Sequence, residues 1–190
     1  MPTPEGCPHV RQTYDRPILE DNMTTISARH FVERAKTGGY LGIPYSDLDC
    51  QALMELVLKD CGVSKDWRGS NDMWRSALSE KHEIVDKNNI PAGAWLFTVK
   101  TDGGEKERGY YDNEGNAAHV GIYLGNGDVM HSTAGGVQMD TITSKRWTHY
   151  GLCKYIDYTN APISISDQDI IDRLKAMTLY DLWKLLKKWG

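Results

Sequence analysis

The sequence predicts an α+β fold, in which helices from the first part of the chain cover one face of an antiparallel sheet of about five strands. Two observations support this prediction. Apolar residues recur at helical spacing in the first half of the chain, and the period changes to that of strands after Pro91-Ala92-Gly93. Short polar turns separate most of the strand segments, which favours hairpins and therefore antiparallel pairing.

Three helices are expected before the strands. The first begins at Thr24 or Thr25 and continues to about Lys36, where two glycines follow. The second spans residues 50–61 and turns a set of apolar side chains inward, namely Ala52, Leu53, Leu56, Val57 and Cys61. A third, short helix follows Ser70. The second helix is therefore expected to be buried and rigid.

The strands are expected at residues 94–99, 118–124, 129–132, 137–142 and 152–158. A polar, glycine-rich excursion at residues 101–116 interrupts them and leads directly to His119. Its position makes it a candidate rim or lid for a substrate, although a solvated hairpin without contact to a ligand explains the composition equally well.

The two ends of the chain differ from its middle. Residues 1–22 are expected to form an irregular arm, residues 23–160 a single domain, and residues 161–190 a helical appendage. The last helix is amphipathic, which suits docking on its own domain, on a second copy, or on a membrane or wall surface. The oligomeric state is not predicted.

Composition excludes several classes of function. The 190 residues carry 40% apolar and 25% charged residues, as expected of a globular domain with a substantial core. The net charge of −4 argues against nucleic acid as the main partner. No long apolar run suggests stable membrane insertion, and Met1 to Asp21 lacks the pattern of a secretion signal.

Cys50 is the most informative residue of the chain. It follows a turn-forming loop and opens an apolar-periodic helix. The positive end of a helix and its free N–H groups favour the thiolate, which is the form of cysteine that attacks an acyl carbon. Cys50 is therefore a candidate nucleophile.

Two histidines supply a candidate base and its orienting partner. His119 opens one predicted strand and His131 closes the next, with a tight turn from Gly125 to Asp128 between them. An antiparallel hairpin brings such ends side by side, so the two rings are expected to be neighbours. One imidazole can serve Cys50 as general base and acid while the other fixes its tautomer.

A metal site is the alternative use of the same three side chains, since Cys50, His119 and His131 are plausible ligands. The four cysteines show no Cys-x-x-Cys spacing, which favours reduced thiols over a zinc site or a disulfide framework. The cysteine and histidines already have a complete use without a metal. We therefore expect no cofactor.

The order of these residues resembles that of NlpC-type cell-wall cysteine peptidases. The resemblance covers roughly residues 25–158 and includes Asp49-Cys50 at a helix start and the segment His119-Val-Gly-Ile-Tyr-Leu-Gly-Asn-Gly. It implies a papain-like core, with Cys50 as nucleophile, His119 as its base and His131 as the residue that orients His119. It also implies that Tyr45 lies in the active-site groove.

The resemblance implies hydrolysis of an amide in peptidoglycan stem peptides, at the bond between γ-D-glutamate and the diamino acid. Asp49 matches the residue that helps to receive the free amine of the terminal L-alanine, whereas Gln51 stands where the family has serine and Ala52 where it has glycine. The oxyanion is expected to meet the Cys50 backbone N–H, aided by Tyr45.

Two other functions use the same residues. Relatives of lecithin:retinol acyltransferase use a similar set of cysteine and histidines to transfer or remove lipid acyl groups. In their sequences, however, the histidines precede the cysteine. A phage tail or wall-binding module with a dead site is the non-enzymatic alternative. Family members without a signal peptide resemble phage or prophage products, so the chain is expected to be made in the cytoplasm and to act on the wall after holin release or as a virion component.

Overall fold

The structure is a computed structural model that describes residues 25–159, 161 and 187. Within these residues there are eight strands, three α-helices that lie between the first and second strands, and a short 3-10 helix at Lys106–Arg108. The helices are α1 (Ala28–Thr37), α2 (Cys50–Asp60) and α3 (Ser70–Ser76). The strands are β1 (Ile26–Ser27), β2 (Leu78–Glu83), β3 (Trp95–Lys100), β4 (Asn116–Gly125), β5 (Asp128–Thr133), β6 (Gly136–Thr141), β7 (His149–Cys153) and β8 (Ile156–Asp157). The predicted α+β class is confirmed.

Six of the strands form one antiparallel sheet in the order β2-β7-β3-β4-β5-β6. The hairpins β3–β4, β4–β5 and β5–β6 follow the chain, as the turn signals predict. The strand β7 departs from this rule because it inserts between β2 and β3. The two short strands β1 and β8 pair in parallel, with Ile26 opposite Ile156.

The structure differs from the prediction at three elements. The first helix begins at Ala28, because the Ser27 side chain accepts a hydrogen bond from the His30 amide and caps it. The strand β2 was not predicted, since it is a mostly exposed edge strand of largely polar sequence. The expected strand 152–158 is two strands, β7 and β8, separated by a turn.

The sheet buries both of its faces. Alternate residues of β3 point in opposite directions, so Trp95 and Phe97 join the core beneath the helices while Leu96 joins a smaller cluster on the other face. That second cluster comprises Ile90, Ala94, Leu96, Tyr123, Val129, Ile142 and Trp147. Because β4 contributes to both clusters, it is a rigid base for the side chains at its ends.

The predicted arm at residues 1–22 and the helices predicted in 162–190 lie outside the described residues. The division into three parts therefore stays a prediction. Among the helices that the structure describes, none has the length and apolar character needed to cross a membrane.

Candidate active site

Cys50 is the first residue of α2, and its position is fixed on both sides. The carboxylate of Asp49 caps the helix by accepting a hydrogen bond from the Ala52 amide at 2.8 Å. On the other side, the Ser132 hydroxyl donates to the carbonyl of Leu48. This second bond ties the start of α2 to β5, the strand that carries His131.

The Cys50 thiol lies among hydrogen-bond donors but is itself largely buried. Burial raises the pKa of the thiol above its ordinary value, and the carboxylate of Asp49 acts in the same direction. Hydrogen bonds with the Val120 amide, the Tyr45 hydroxyl and the Gln51 amide lower it and offset part of the rise. The direction of this shift runs against the thiolate expected at a helix start, because desolvation outweighs the donors.

The two histidines are in direct contact, which confirms the adjacency expected from the hairpin. The distance between Nε2 of His119 and Nδ1 of His131 is 2.8 Å. His119 is partly buried on β4, and the side chain of His131 on β5 is fully buried. The contact leaves Nδ1 of His119 as the nitrogen available to another partner.

The Cys50 thiol contacts the backbone of β4, the strand that carries His119. The hydrogen bond with the Val120 amide places the sulfur beside β4, next to the residue His119. Among the described residues, no hydrogen bond joins the sulfur to the ring of His119 itself. Catalytic hydrogen bonds are often long without substrate and tighten in the reacting complex. The structure thus pairs the two histidines and places Cys50 against the strand that carries His119, and the roles of the three residues stay predictions.

Trp147 packs against both imidazoles. Its ring stacks on His119 with centroids 5.6 Å apart and meets the edge of His131 at 5.3 Å. Gly121 leaves the space for this packing, because a Cβ there would lie 2.8 Å from the Trp147 ring and 3.0 Å from the Cβ of His131. The two rings are therefore held by packing as well as by their hydrogen bond.

Both histidines are neutral near neutral pH. Burial lowers the pKa of His119 to about 4, and the nearby His131 and Arg146 lower it further. Burial also lowers the pKa of His131 to about 4, again with a contribution from Arg146. Asp140 opposes both shifts without reversing them. A neutral imidazole beside a protonated thiol suits general-base activation of the nucleophile.

Two charged residues contact His131 from opposite sides, and the sequence did not point to either. A terminal guanidinium nitrogen of Arg146 lies 3.2 Å from Nδ1 of His131. The Asp140 carboxylate lies 3.9 Å from Nε2 of the same ring. Both residues come from the polar segment around the end of β6 and are at least partly exposed, so no local pattern distinguishes them from other solvated charges.

A cleft of about 330 Å³ opens beside Cys50. Its walls come from four segments: the loop before α2, the start of α2, the start of α3 and the excursion at residues 101–116. The lining residues are Tyr45, Asp49, Cys50, Gln51, Arg68, Gly69, Ser70, Asn71, Gly104, Glu107, Arg108, Asn116 and Ala118. Two carboxylates and two guanidinium groups therefore share the walls of this cleft.

The excursion at residues 101–116 forms one side of the cleft and is anchored to α3. Arg75 of α3 binds both carboxylate oxygens of Asp112 at 2.6 and 2.8 Å and also donates to the Gly115 carbonyl. The guanidinium lies 4.4 Å from the centre of the Tyr110 ring. Since Glu107 and Arg108 line the cleft, the excursion forms part of its wall, and contact between the excursion and a substrate stays a prediction.

The three predicted substrate-binding residues all line the cleft but are engaged differently. Tyr45 is 41% exposed, with its hydroxyl on the Cys50 thiol. Asp49 uses one oxygen as the helix cap. The Gln51 amide donates to Glu55 and to the Trp67 carbonyl, so this side chain holds the loop before α3. Among the described residues, no three His, Cys, Asp or Glu side chains are arranged to hold a metal ion.

Comparisons with known proteins identify the family. Residues 37–155 match the model of the NlpC/P60 family. The fold is similar to the crystal structure of the P60 domain of an antigen from M. avium subspecies paratuberculosis, with a TM-score of 0.48 and 20% identity. That match covers 67% of this chain and 97% of the other. Among curated proteins, none matches the chain.

Proposed function

Because this chain belongs to the NlpC/P60 family, we propose that it is a cysteine peptidase that hydrolyses an amide bond in peptidoglycan stem peptides. The family supports a cell-wall peptidase-like function. The observation that carries the proposal is the Cys50 thiol at the start of α2, held against the Val120 amide of β4, the strand on which His119 pairs with His131.

The reaction begins when the sulfur of Cys50 attacks the substrate carbonyl. His119 accepts the thiol proton as the C–S bond forms, and it returns this proton to the leaving amine when the C–N bond breaks. Water then attacks the acyl-enzyme and gives its proton to His119, and the thiol leaves as the carboxylic acid forms. His131 stabilises the imidazolium ion and keeps its orientation.

Donors around the sulfur can receive the oxyanion that forms on the carbonyl. The backbone N–H of Cys50 lies at the free N-terminal end of α2, and the Tyr45 hydroxyl reaches the sulfur. Each such donor typically lowers the barrier by about 3 kcal/mol. Tyr45 is the more exposed of the two, so its contribution depends on how the substrate covers it.

The charges of the cleft suit a peptide that carries both an ammonium group and carboxylates. Asp49 and Glu107 can face the ammonium group, and Arg68 and Arg108 the carboxylates. Stem peptides combine these groups, and the bond between γ-D-glutamate and the diamino acid is the one we propose. Gln51 does not take over the role of the serine, since its amide is bound to Glu55 and Trp67.

Mass spectrometry of defined muropeptides tests the proposal. From a stem peptide whose L-alanine is free, the intact chain is expected to release L-alanyl-γ-D-glutamate, and Cys50→Ala to release none above the uncatalysed rate; from a muropeptide the same cut releases the peptide that begins with the diamino acid. Cys61→Ala is the matched control, because Cys61 is a partly buried thiol outside the cleft, and it should keep full activity. Absence of turnover by the wild type, or turnover by Cys50→Ala, would refute the proposal. Release of fatty acid from lipid substrates would favour the acyltransferase alternative.

The predicted route to the wall, through a holin lesion or as a virion component, is carried forward as part of this proposal. It is tested separately, by locating the protein in lysates and in purified particles with an antibody against the domain. Its failure leaves the reaction itself unaffected.

A further inference from the structure

The hydrogen bonds of His131 contain information about where the protons lie. An arginine side chain is protonated at all relevant pH values and has donors only. Arg146 lies 3.2 Å from Nδ1 of His131, so this nitrogen must accept and carries no hydrogen. The single hydrogen of the neutral ring is therefore on Nε2.

The same nitrogen also faces His119. Nε2 of His119 lies 2.8 Å from Nδ1 of His131, and two nitrogens without hydrogen cannot form a hydrogen bond. Nε2 of His119 must therefore donate. A neutral His119 then has its lone pair on Nδ1, which is the nitrogen that the contact leaves available to another partner. Arg146 thus determines the tautomer of His119 through His131, without contacting His119 itself.

The other side of His131 favours the same arrangement. The Asp140 carboxylate lies 3.9 Å from Nε2. The amide nitrogen of Gln138 lies 3.5 Å from the same atom, at the outer limit of a hydrogen bond. This weaker contact is the exception, since an amide nitrogen only donates, and it requires the amide to turn so that its oxygen faces Nε2. A negative charge near Nε2 favours the hydrogen there, and a positive charge near Nδ1 disfavours one there. His131 is fully buried, whereas Arg146 is exposed and the Asp140 side chain is 26% exposed, so the short contacts carry the preference more than the bare charges do. The two charges act together on one ring.

We propose that Arg146 is a positioning residue which, with Asp140 on the opposite nitrogen, fixes the tautomers of His131 and His119 so that Nδ1 of His119 is the base. This rests on the proposed function for its catalytic meaning, but not for the tautomers themselves. The wrong tautomer of the base makes a nucleophile triad ineffective even when its geometry is kept. Arg146 therefore acts on the reaction through His131 and not by touching the substrate.

Nitrogen NMR of the full chain with labelled histidines tests the tautomers without any substrate. Near neutral pH, the wild type should show hydrogen on Nε2 and none on Nδ1 for both His119 and His131. Arg146→Met should give mixed tautomers for both rings, and Arg146→Lys should keep the wild-type pattern. Lys145→Met is the matched control, since it removes an exposed positive charge from the neighbouring residue and should change nothing.

Kinetics on muropeptides give the second readout. For Arg146→Met, kcat should fall about tenfold with little change in KM, because only part of the enzyme then holds the competent tautomer. Hydrogen on Nδ1 of His131 in the wild type, or unchanged nitrogen signals in Arg146→Met, would overturn the proposal. The wild-type spectrum alone tests the predicted tautomers, even if Arg146→Met fails to fold. Expected tautomers without turnover would instead refute the proposed function.

Discussion

The histidine pair, His119 and His131, and the cleft beside Cys50 are built in opposite ways. His131 is 0% exposed and is surrounded by an aromatic ring, a cation and a carboxylate that leave it one orientation. In the cleft, Tyr45 is 41% exposed and the Arg68 side chain 82%. The groups that move protons are thus fixed by packing, whereas the groups that meet the substrate lie on loops and can adjust.

This contrast predicts different kinetic effects. Changes at the histidine pair should lower kcat, because they disturb an arrangement that matters only as the reaction proceeds. Changes in the cleft should raise KM, because they remove contacts made equally in the bound state and the transition state.

The largest effect is expected at the base. His119→Gln should lower kcat by roughly 10⁴-fold with little change in KM, since no group remains to accept the thiol proton. The measurement is steady-state kinetics on a defined muropeptide. His82→Gln is the control, because His82 is an exposed histidine on the edge strand β2. A kcat for His119→Gln within tenfold of the wild type would show that another group is the base.

Gly121→Ala should show that packing holds the pair. The added methyl meets the Trp147 ring at 2.8 Å and the Cβ of His131 at 3.0 Å, so both must move. We expect kcat to fall by roughly 10- to 100-fold and the free energy of unfolding by about 1–3 kcal/mol. Gly135→Ala, where the new methyl finds only ordinary contacts, is the matched control in urea melts and kinetics. Equal behaviour of the two variants would contradict the role of Trp147.

On the cleft side, Arg108→Ala should raise KM by about 5- to 10-fold and leave kcat nearly unchanged, through the loss of one charged contact with a substrate carboxylate. Lys106→Ala removes a charge from the same excursion without altering the lining of the cleft, and its KM should stay at the wild-type value. A fall in kcat for Arg108→Ala would mean that the cleft is not separable from the chemistry.

The last prediction concerns stability instead of kinetics, and it is the pH dependence that the histidine pair imposes on folding. The rings protonate near 6.5 when unfolded and at about 4 when folded, so the unfolded state binds more protons between these values. Stability should therefore decrease as the pH falls from about 6.5 towards 4, by up to about 1.4 kcal/mol per pH unit for each histidine. Urea melts across this range measure it. His131→Asn should reduce the slope, and an unchanged slope would argue against burial as the cause.

The sequence predicted those parts of the site that depend on local signals. The loop and apolar period around Cys50 indicate a helix start, and the turn between β4 and β5 brings His119 to His131. Arg146, Trp147 and Gly121 could not be found in this way, because each acts through contacts with distant strands. The strand β7 was placed only by its pairing with β2 and β3. The expected thiolate at Cys50 leaves out the burial of the thiol, which raises its pKa and which no local signal in the sequence reveals.

The parallel pairing of β1 with β8 has a consequence for how this unit can be reused. Ile26 and Ile156 are partners, so the first and last strands described leave the domain at the same edge. A unit whose entry and exit coincide can be inserted into a host loop as a cassette. It should also tolerate circular permutation, with a linker from Thr159 to Thr25 that keeps the hydrogen bond of Tyr158 to the Gly93 carbonyl, and new ends in the exposed segment around Lys87.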